Sequence, residues 1–216
     1  MIRIGNLWRA EGLWRWIAIA SGAVLILLLI AWGGFYWWGR MSEAQLDAFA
    51  RASQLYREVM TEGKSEQGEE AKRALEDFLA RHSRSAVAGV AAYYLGNLQY
   101  QVRQYESARA SYARALERGS RDDLVLVARL GIAYSWEAQG QYANALKAYQ
   151  DGLANMAQKN FLYEEFLLAQ ARLQELQQDV PRALDSYRQL LRDRPESRRA
   201  EEIRARIVSL EGQGKR

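Results

Sequence analysis

Cysteine is absent from all 216 residues, which removes disulfides, thiolate metal ligands and acylation of a cysteine from consideration. Proline occurs only twice, at Pro181 and Pro195, so little interrupts a helix. The one histidine, His82, follows an amphipathic segment and reads as a helix-end residue, not as a ligand or general base. No cysteine is available as a nucleophile, and no serine-containing nucleophile elbow is present. Charge of one sign is also lacking. Residues 1–40 hold four Arg and one Glu, leaving 26 basic and 25 acidic residues for the rest. That balance does not give the basic footprint of a nucleic-acid binder.

What the chain does have is alanine, leucine, glutamate, arginine and glutamine, a composition that favours helix. It also has one long apolar run, Ile17 to Trp38, whose 22 residues carry no charge. As a helix this run would extend about 33 Å, enough for a bilayer core. Tryptophans bracket it: Trp8, Trp14 and Trp16 before, Trp32, Trp37 and Trp38 towards its end. Half-apolar rings of this kind suit the headgroup boundary. A cleaved signal peptide has a shorter apolar core and a small-residue cleavage site, and bulky aromatics stand in that place. Residues 17–38 are therefore expected to be a transmembrane helix. Arg3, Arg9 and Arg15 precede it, against Arg40 and Arg51 in the next fifteen residues, which favours a cytoplasmic N-terminus.

From residue 41 onward the apolar pattern is helical and repeats. Small residues recur at Ala71, Ala108, Ala145 and Ala183, in steps of 37, 37 and 38. Four places after each come Leu75, Tyr112, Tyr149 and Tyr187. Three further on, Phe78, Ala115, Gly152 and Leu190 are each followed by leucine. Leu95-Gly96 and Ile132-Ala133 recur at the same interval. Helical hairpins stacked into a solenoid have repeats of this length. A small residue on one helix admits close approach, and an aromatic one turn away fills the groove. Arg103-Gln104-Tyr105 and Gly140-Gln141-Tyr142 mark tight turns, while Pro195 and Gly119-Ser120 mark exits.

Leu95 to Leu116, LGNLQYQVRQYESARASYARAL, resembles a tetratricopeptide repeat, whose pattern runs Leu-Gly, then Ala-x3-aromatic, then Ala-Leu. Ala145 to Leu153 and Ala183 to Pro195 repeat its second half. Ala92 stands where that pattern prefers Trp and Gln99 where it prefers Tyr. The expected fold is all-α: an N-terminal transmembrane helix, then four hairpins near 42–82, 85–118, 122–156 and 161–193, then a capping helix near 197–211. In domains this gives a basic tail 1–16, the span 17–38, a connector 39–41, a repeat domain 42–212 and a tail 213–216. Ser42 with Gln45 forms a capping box just after the connector. Ala71, Gly96, Ala108, Tyr112, Ala145, Tyr149, Ala183 and Tyr187 are the expected packing positions of the repeat.

Glu69-Glu70, Asp122-Asp123, Glu164-Glu165 and Glu201-Glu202 fall at expected helix starts, where carboxylates complement the helix dipole without a metal. Gly212-Gln213-Gly214-Lys215 lacks the spacing of a phosphate loop. The Arg-rich stretch between Arg182 and Arg206 is interleaved with acids and reads as a solvated face. No catalytic residue, metal, cofactor, nucleic acid or small-molecule substrate is expected. The informative surface is the inner face lined by the first helix of each hairpin. Tyr93, Asn97 and Tyr100 are expected there from one helix, and Leu130, Tyr134 and Glu137 from the next. They form either a peptide groove or, for Tyr93 and Tyr134, packing between hairpins.

The plan of a basic tail, one span and a small repeat domain resembles the YfgM family of ancillary subunits of the SecYEG translocon. That resemblance implies a single-pass protein of the bacterial inner membrane with a periplasmic C-terminal domain. It implies protein partners: the SecYEG translocon, emerging polypeptides or periplasmic chaperones. Tethering would raise local concentration, so that weak groove contacts suffice. The alternative is a scaffold subunit of another envelope assembly, for division, pilus or outer-membrane biogenesis.

Overall fold

The computed structural model describes residues 43–118, 122–154 and 156–213. The chain divides into two compact units, Met1–Ala48 and Phe49–Arg216. Of the first, residues 43–48 are described and are helical. The expected tail, span and connector, together with Ser42, lie outside the described residues. Among those that are described, no helix is long and apolar enough to cross a membrane.

In the second unit every described element is helical. Helix α1 covers 49–61, and a 3-10 turn at Ser65–Gln67 leads into α2 (Gly68–Arg81). Then come α3 (Ala88–Gln101), α4 (Tyr105–Arg118), α5 (Asp122–Ala138), α6 (Tyr142–Leu153), α7 (Tyr163–Leu176), α8 (Val180–Asp193) and α9 (Ala200–Gln213). Successive pairs form the hairpins that the period requires, and α9 closes the stack against α8. The result is a tetratricopeptide-type solenoid. Helix α9 begins three residues later than the sequence places it. Residues 194–199 are taken up by a turn in which Ser197 N–H donates to Arg194 O and Ser197 Oγ accepts from Arg199 N–H.

The period has a backbone cause. At the ends of α3, α5 and α7 one residue takes left-handed φ: Arg103 at 61°, Gly140 at 71° and Gln178 at 62°. Around each, the same two bonds form. Arg103 N–H donates to Tyr100 O and Gln104 N–H to Gln99 O. Gly140 and Gln141 do the same to Glu137 and Trp136, and Gln178 and Asp179 to Glu175 and Gln174. This is the Schellman termination, which satisfies the last carbonyls and reverses the chain into the next helix. Carboxylates stand in the first turns of α2, α5, α7 and α9, where they meet the positive end of the dipole.

Packing follows the small residues. Ala71, Ala108, Ala145 and Ala183 are all 0% exposed. Tyr112, Tyr149 and Tyr187 are buried in three successive clusters of the core. The ring of Tyr112 lies between α3 and α5, over two glycines. A Cβ on Gly96 would meet Tyr112 Cε1 at 2.6 Å, and one on Gly131 would meet Tyr112 Cζ at 2.5 Å. Gly152 likewise gives room to the ring of Phe166, which meets Tyr149 edge-on with centroids 5.9 Å apart.

Candidate functional site

Positions i, i+4 and i+7 of a helix share a face. Tyr93, Asn97 and Tyr100 therefore line up along α3, and Leu130, Tyr134 and Glu137 along α5. The structure leaves all six half-buried, neither core nor fully open surface. Five of them, Tyr93, Asn97, Tyr100, Leu130 and Tyr134, line one small pocket of about 170 Å³ with Tyr112, Val127 and Gly131. Glu137 is not part of its lining; it sits further along α5.

The hydrogen bonds of this strip run inward. Tyr112 OH donates to Asn97 Oδ1 at 2.8 Å, and Asn97 Nδ2 donates to Tyr56 OH at 2.8 Å. Asn97 is thus a bridge between α1 and α4, with both ends of its amide engaged. Tyr134 OH donates to Glu165 at 2.6 Å, and Tyr149 OH to Glu137 at 2.9 Å. Burial pushes the Tyr112, Tyr134 and Tyr149 phenols well above the ordinary tyrosine range, and the neighbouring carboxylate adds to this for Tyr134 and Tyr149. All three stay neutral donors. With these polar ends satisfied, the pocket offers ring faces and aliphatic carbon to a partner. A chain segment would be gripped there by an apolar side chain in contact with tyrosine. Beside the pocket, Tyr56 and Tyr94 stack at 4.0 Å and Phe49 follows at 6.2 Å from Tyr94.

Several contributors escaped the sequence reading. Gly131 falls outside the repeat register, since 37 residues earlier stands Tyr94, so periodicity gives no sign of it. Tyr56 is reached only through the three-residue relay with Asn97 and Tyr112. Gln99 is buried and accepts from Ser111 Oγ at 2.7 Å, and Gln174 accepts from Ser186 Oγ at 2.8 Å. This repeated pair explains why glutamine replaces the aromatic of the usual pattern. In the middle hairpin the same places hold Trp136 and Ala148, and Arg109 stacks on the Trp136 ring at 3.6 Å.

Further along, α7 and α9 enclose a larger cleft of about 740 Å³, with Arg172, Glu175, Arg199 and Arg206 among its lining. The Arg-rich stretch is held largely by partners. Arg188 meets Glu211, Arg199 meets Glu165, Arg206 meets Glu175, and Arg194 donates to the Gln158 and Asn160 carbonyls. His82 ends α2 beside the Phe78 ring. Gly212 and Gln213 belong to the last turn of α9. Among the described residues no group of three or more acidic or histidine side chains is arranged to hold a metal ion.

The family models agree with the helical-repeat fold. The family model described as "Tetratricopeptide repeat-like domain" matches residues 14–161, and a second, "Tetratricopeptide repeat", matches residues 165–197. No curated protein matches the sequence. Among solved structures, the one described as "MamA RS-1 ArsTM double mutant" superposes with a TM-score of 0.55 at 14% identity, covering 78% of this chain and 97% of that one. A second, a putative protein binding protein from Bacteroides ovatus ATCC 8483, gives a TM-score of 0.43 at 17% identity over 75% of this chain and 98% of its own.

Proposed function

The chain belongs to the tetratricopeptide repeat-like domain family, a fold of protein–protein interaction modules, and from that premise we propose that it is a membrane-tethered docking subunit beside the Sec protein-export channel. Its repeats would contact emerging polypeptides or periplasmic chaperones. The observation that carries this reading is the half-buried, tyrosine-lined pocket between α3 and α5, which suits a side chain of an extended segment. The apolar run at 17–38 supports the tether, and the family match begins at residue 14, so it includes that run. Anchoring beside a channel would raise the local concentration of chain and module, so that a pocket sized for one side chain is sufficient.

The test is a photo-crosslinker at Tyr100 of the full chain in native membranes, after establishing from which side protease reaches the domain. Capture of translocon subunits or emerging chains by a periplasmic domain is the expected result. A domain protected from periplasmic protease would overturn the placement. Capture of one folded envelope complex, with no unfolded chain, would replace the export role by that of a scaffold.

A further inference from the structure

One repeated position divides the inner face into two chemically different halves. Residues 100, 137 and 175 are equivalent in the period, and they are Tyr, Glu and Glu. In the last two hairpins this glutamate is the middle of a three-residue relay. Tyr149, fully buried on α6, donates to Glu137 at 2.9 Å, and Arg172 on α7 donates to the same carboxylate at 2.5 Å. Tyr187, buried on α8, donates to Glu175 at 3.2 Å, and Arg206 on α9 engages Glu175 through two nitrogens, Nε at 2.8 Å. A third guanidinium, Arg199, reaches Glu165, which is also held by Tyr134.

The relays on Glu137 and Glu175 bury the acid and leave the base outward, whereas Arg199 and Glu165 are exposed about alike, at 46% and 37%. Side-chain exposure is 19% for Glu137 and 17% for Glu175, but 53% for Arg172 and 50% for Arg206. The hydrogen-bond inventory points the same way. Each carboxylate is occupied by a tyrosine and an arginine, whereas a guanidinium has five N–H donors and spends only one or two here. The cleft between α7 and α9 therefore presents unspent donors over an apolar floor that includes Leu168 and the exposed Leu176. Its guanidiniums are already fixed in place, which lowers the ordering cost of binding.

We propose that this cleft is a second docking site, which takes an extended polypeptide segment carrying acidic side chains next to an apolar one. The carboxylates meet Arg172, Arg199 and Arg206, and the apolar side chain lies on the floor. The cleft also holds three carboxylates: Glu165 and Glu175 are each engaged by an arginine, while the exposed Glu202 opposes such a segment and acts as the built-in brake on affinity. The inference rests on the reading that the inner face binds extended chains, and it adds the class of chain.

The experiment measures fluorescence anisotropy of labelled peptides with the full chain in detergent micelles. Three probes share one leucine pattern, with Asp/Glu, Asn/Gln or Lys in the intervening places. The acidic probe should bind at least tenfold tighter than the other two, and less so as salt is raised. Arg172→Gln with Arg206→Gln should abolish that difference. Glu202→Gln, which disturbs no buried relay, should widen it. Equal binding of acidic and neutral probes, tighter binding of the lysine probe, or no change in the double variant overturns the acidic preference while leaving a chain-binding groove. Failure of all three probes to bind removes the groove reading as well.

Discussion

Replacing Gly131 by Ala should destabilise the domain, although in a free helix the same change is favourable. Alanine in a helix interior is better than glycine by about 1 kcal/mol. Against that stands the Tyr112 ring. A Cβ on Gly131 would lie 2.5 Å from Cζ, 2.7 Å from Cε2 and 2.8 Å from Cε1, where carbon atoms rest at about 3.5–4.0 Å. The ring would have to retreat by about 1 Å. It has nowhere to go. On the α3 side the position of a Gly96 Cβ is itself within 2.7 Å of the ring, and the phenol is tied to Asn97. Overpacking of this kind costs about 1–3 kcal/mol, so the net loss falls between near zero and about 2 kcal/mol.

A single ΔΔG in that range is ambiguous, and a double-mutant cycle with Tyr112→Leu removes the ambiguity. Without the ring, Gly131→Ala should stabilise by about 1 kcal/mol, the bare helix preference. The two effects then differ by a coupling energy of about 1–3 kcal/mol. Urea unfolding of the full chain in micelles, followed by circular dichroism, measures all four corners. For a domain of this size each kcal/mol also moves Tm by about 2–4 °C. A coupling below about 0.5 kcal/mol would mean that the ring does not lie against Gly131, and the account of how α3, α4 and α5 approach each other would be wrong.

Other consequences follow from the same contacts. Gly140→Ala, at φ +71° with open space around its Cβ, should cost about 1 kcal/mol from backbone strain alone, whereas Arg103→Gly at φ +61° should be neutral or mildly stabilising in the same unfolding assay. Ser111→Ala leaves the buried Gln99 amide oxygen without its donor and should cost about 1–3 kcal/mol, while adding Gln99→Leu should recover much of that loss. Tyr112, Tyr134 and Tyr149 have folded pKa values raised above the ordinary 10, chiefly by burial. The unfolded chain therefore releases protons that the folded one retains once pH passes about 10. Stability should be level below that point and then fall by about 1.4 kcal/mol per pH unit for each such tyrosine, and a Tm unchanged between pH 9 and pH 11 would contradict their burial.

The hairpins were legible in the sequence because one device repeats them. A small residue and an aromatic one turn on recur at a fixed interval, so that Ala108 and Tyr112 announce their counterparts, whereas the left-handed turn of Gly140 recurs at Arg103 and Gln178, residues that do not announce it. Helical spacing sets Tyr93, Asn97 and Tyr100 on one face of α3 and Leu130 and Tyr134 on one face of α5, and these five line one pocket while Glu137 does not. What periodicity does not carry is pairing across repeats. Asn97 reads as a polar group waiting for a ligand until the relay shows both ends of its amide already used. Several arginines between Arg182 and Arg206 read as a solvated face because their partners stand 23 to 34 residues away, as Glu211 does for Arg188, Glu175 for Arg206 and Glu165 for Arg199. Once those partners are known, position 100/137/175 gains a meaning that its residue types alone lacked. Tyrosine there keeps the first half of the groove aromatic. Glutamate there gives each buried tyrosine an acceptor and each outward arginine an anchor. Replacing Glu137 by Tyr should therefore carry the aromatic half one repeat further while costing stability, because the buried Tyr149 hydroxyl loses its acceptor and Arg172 its anchor.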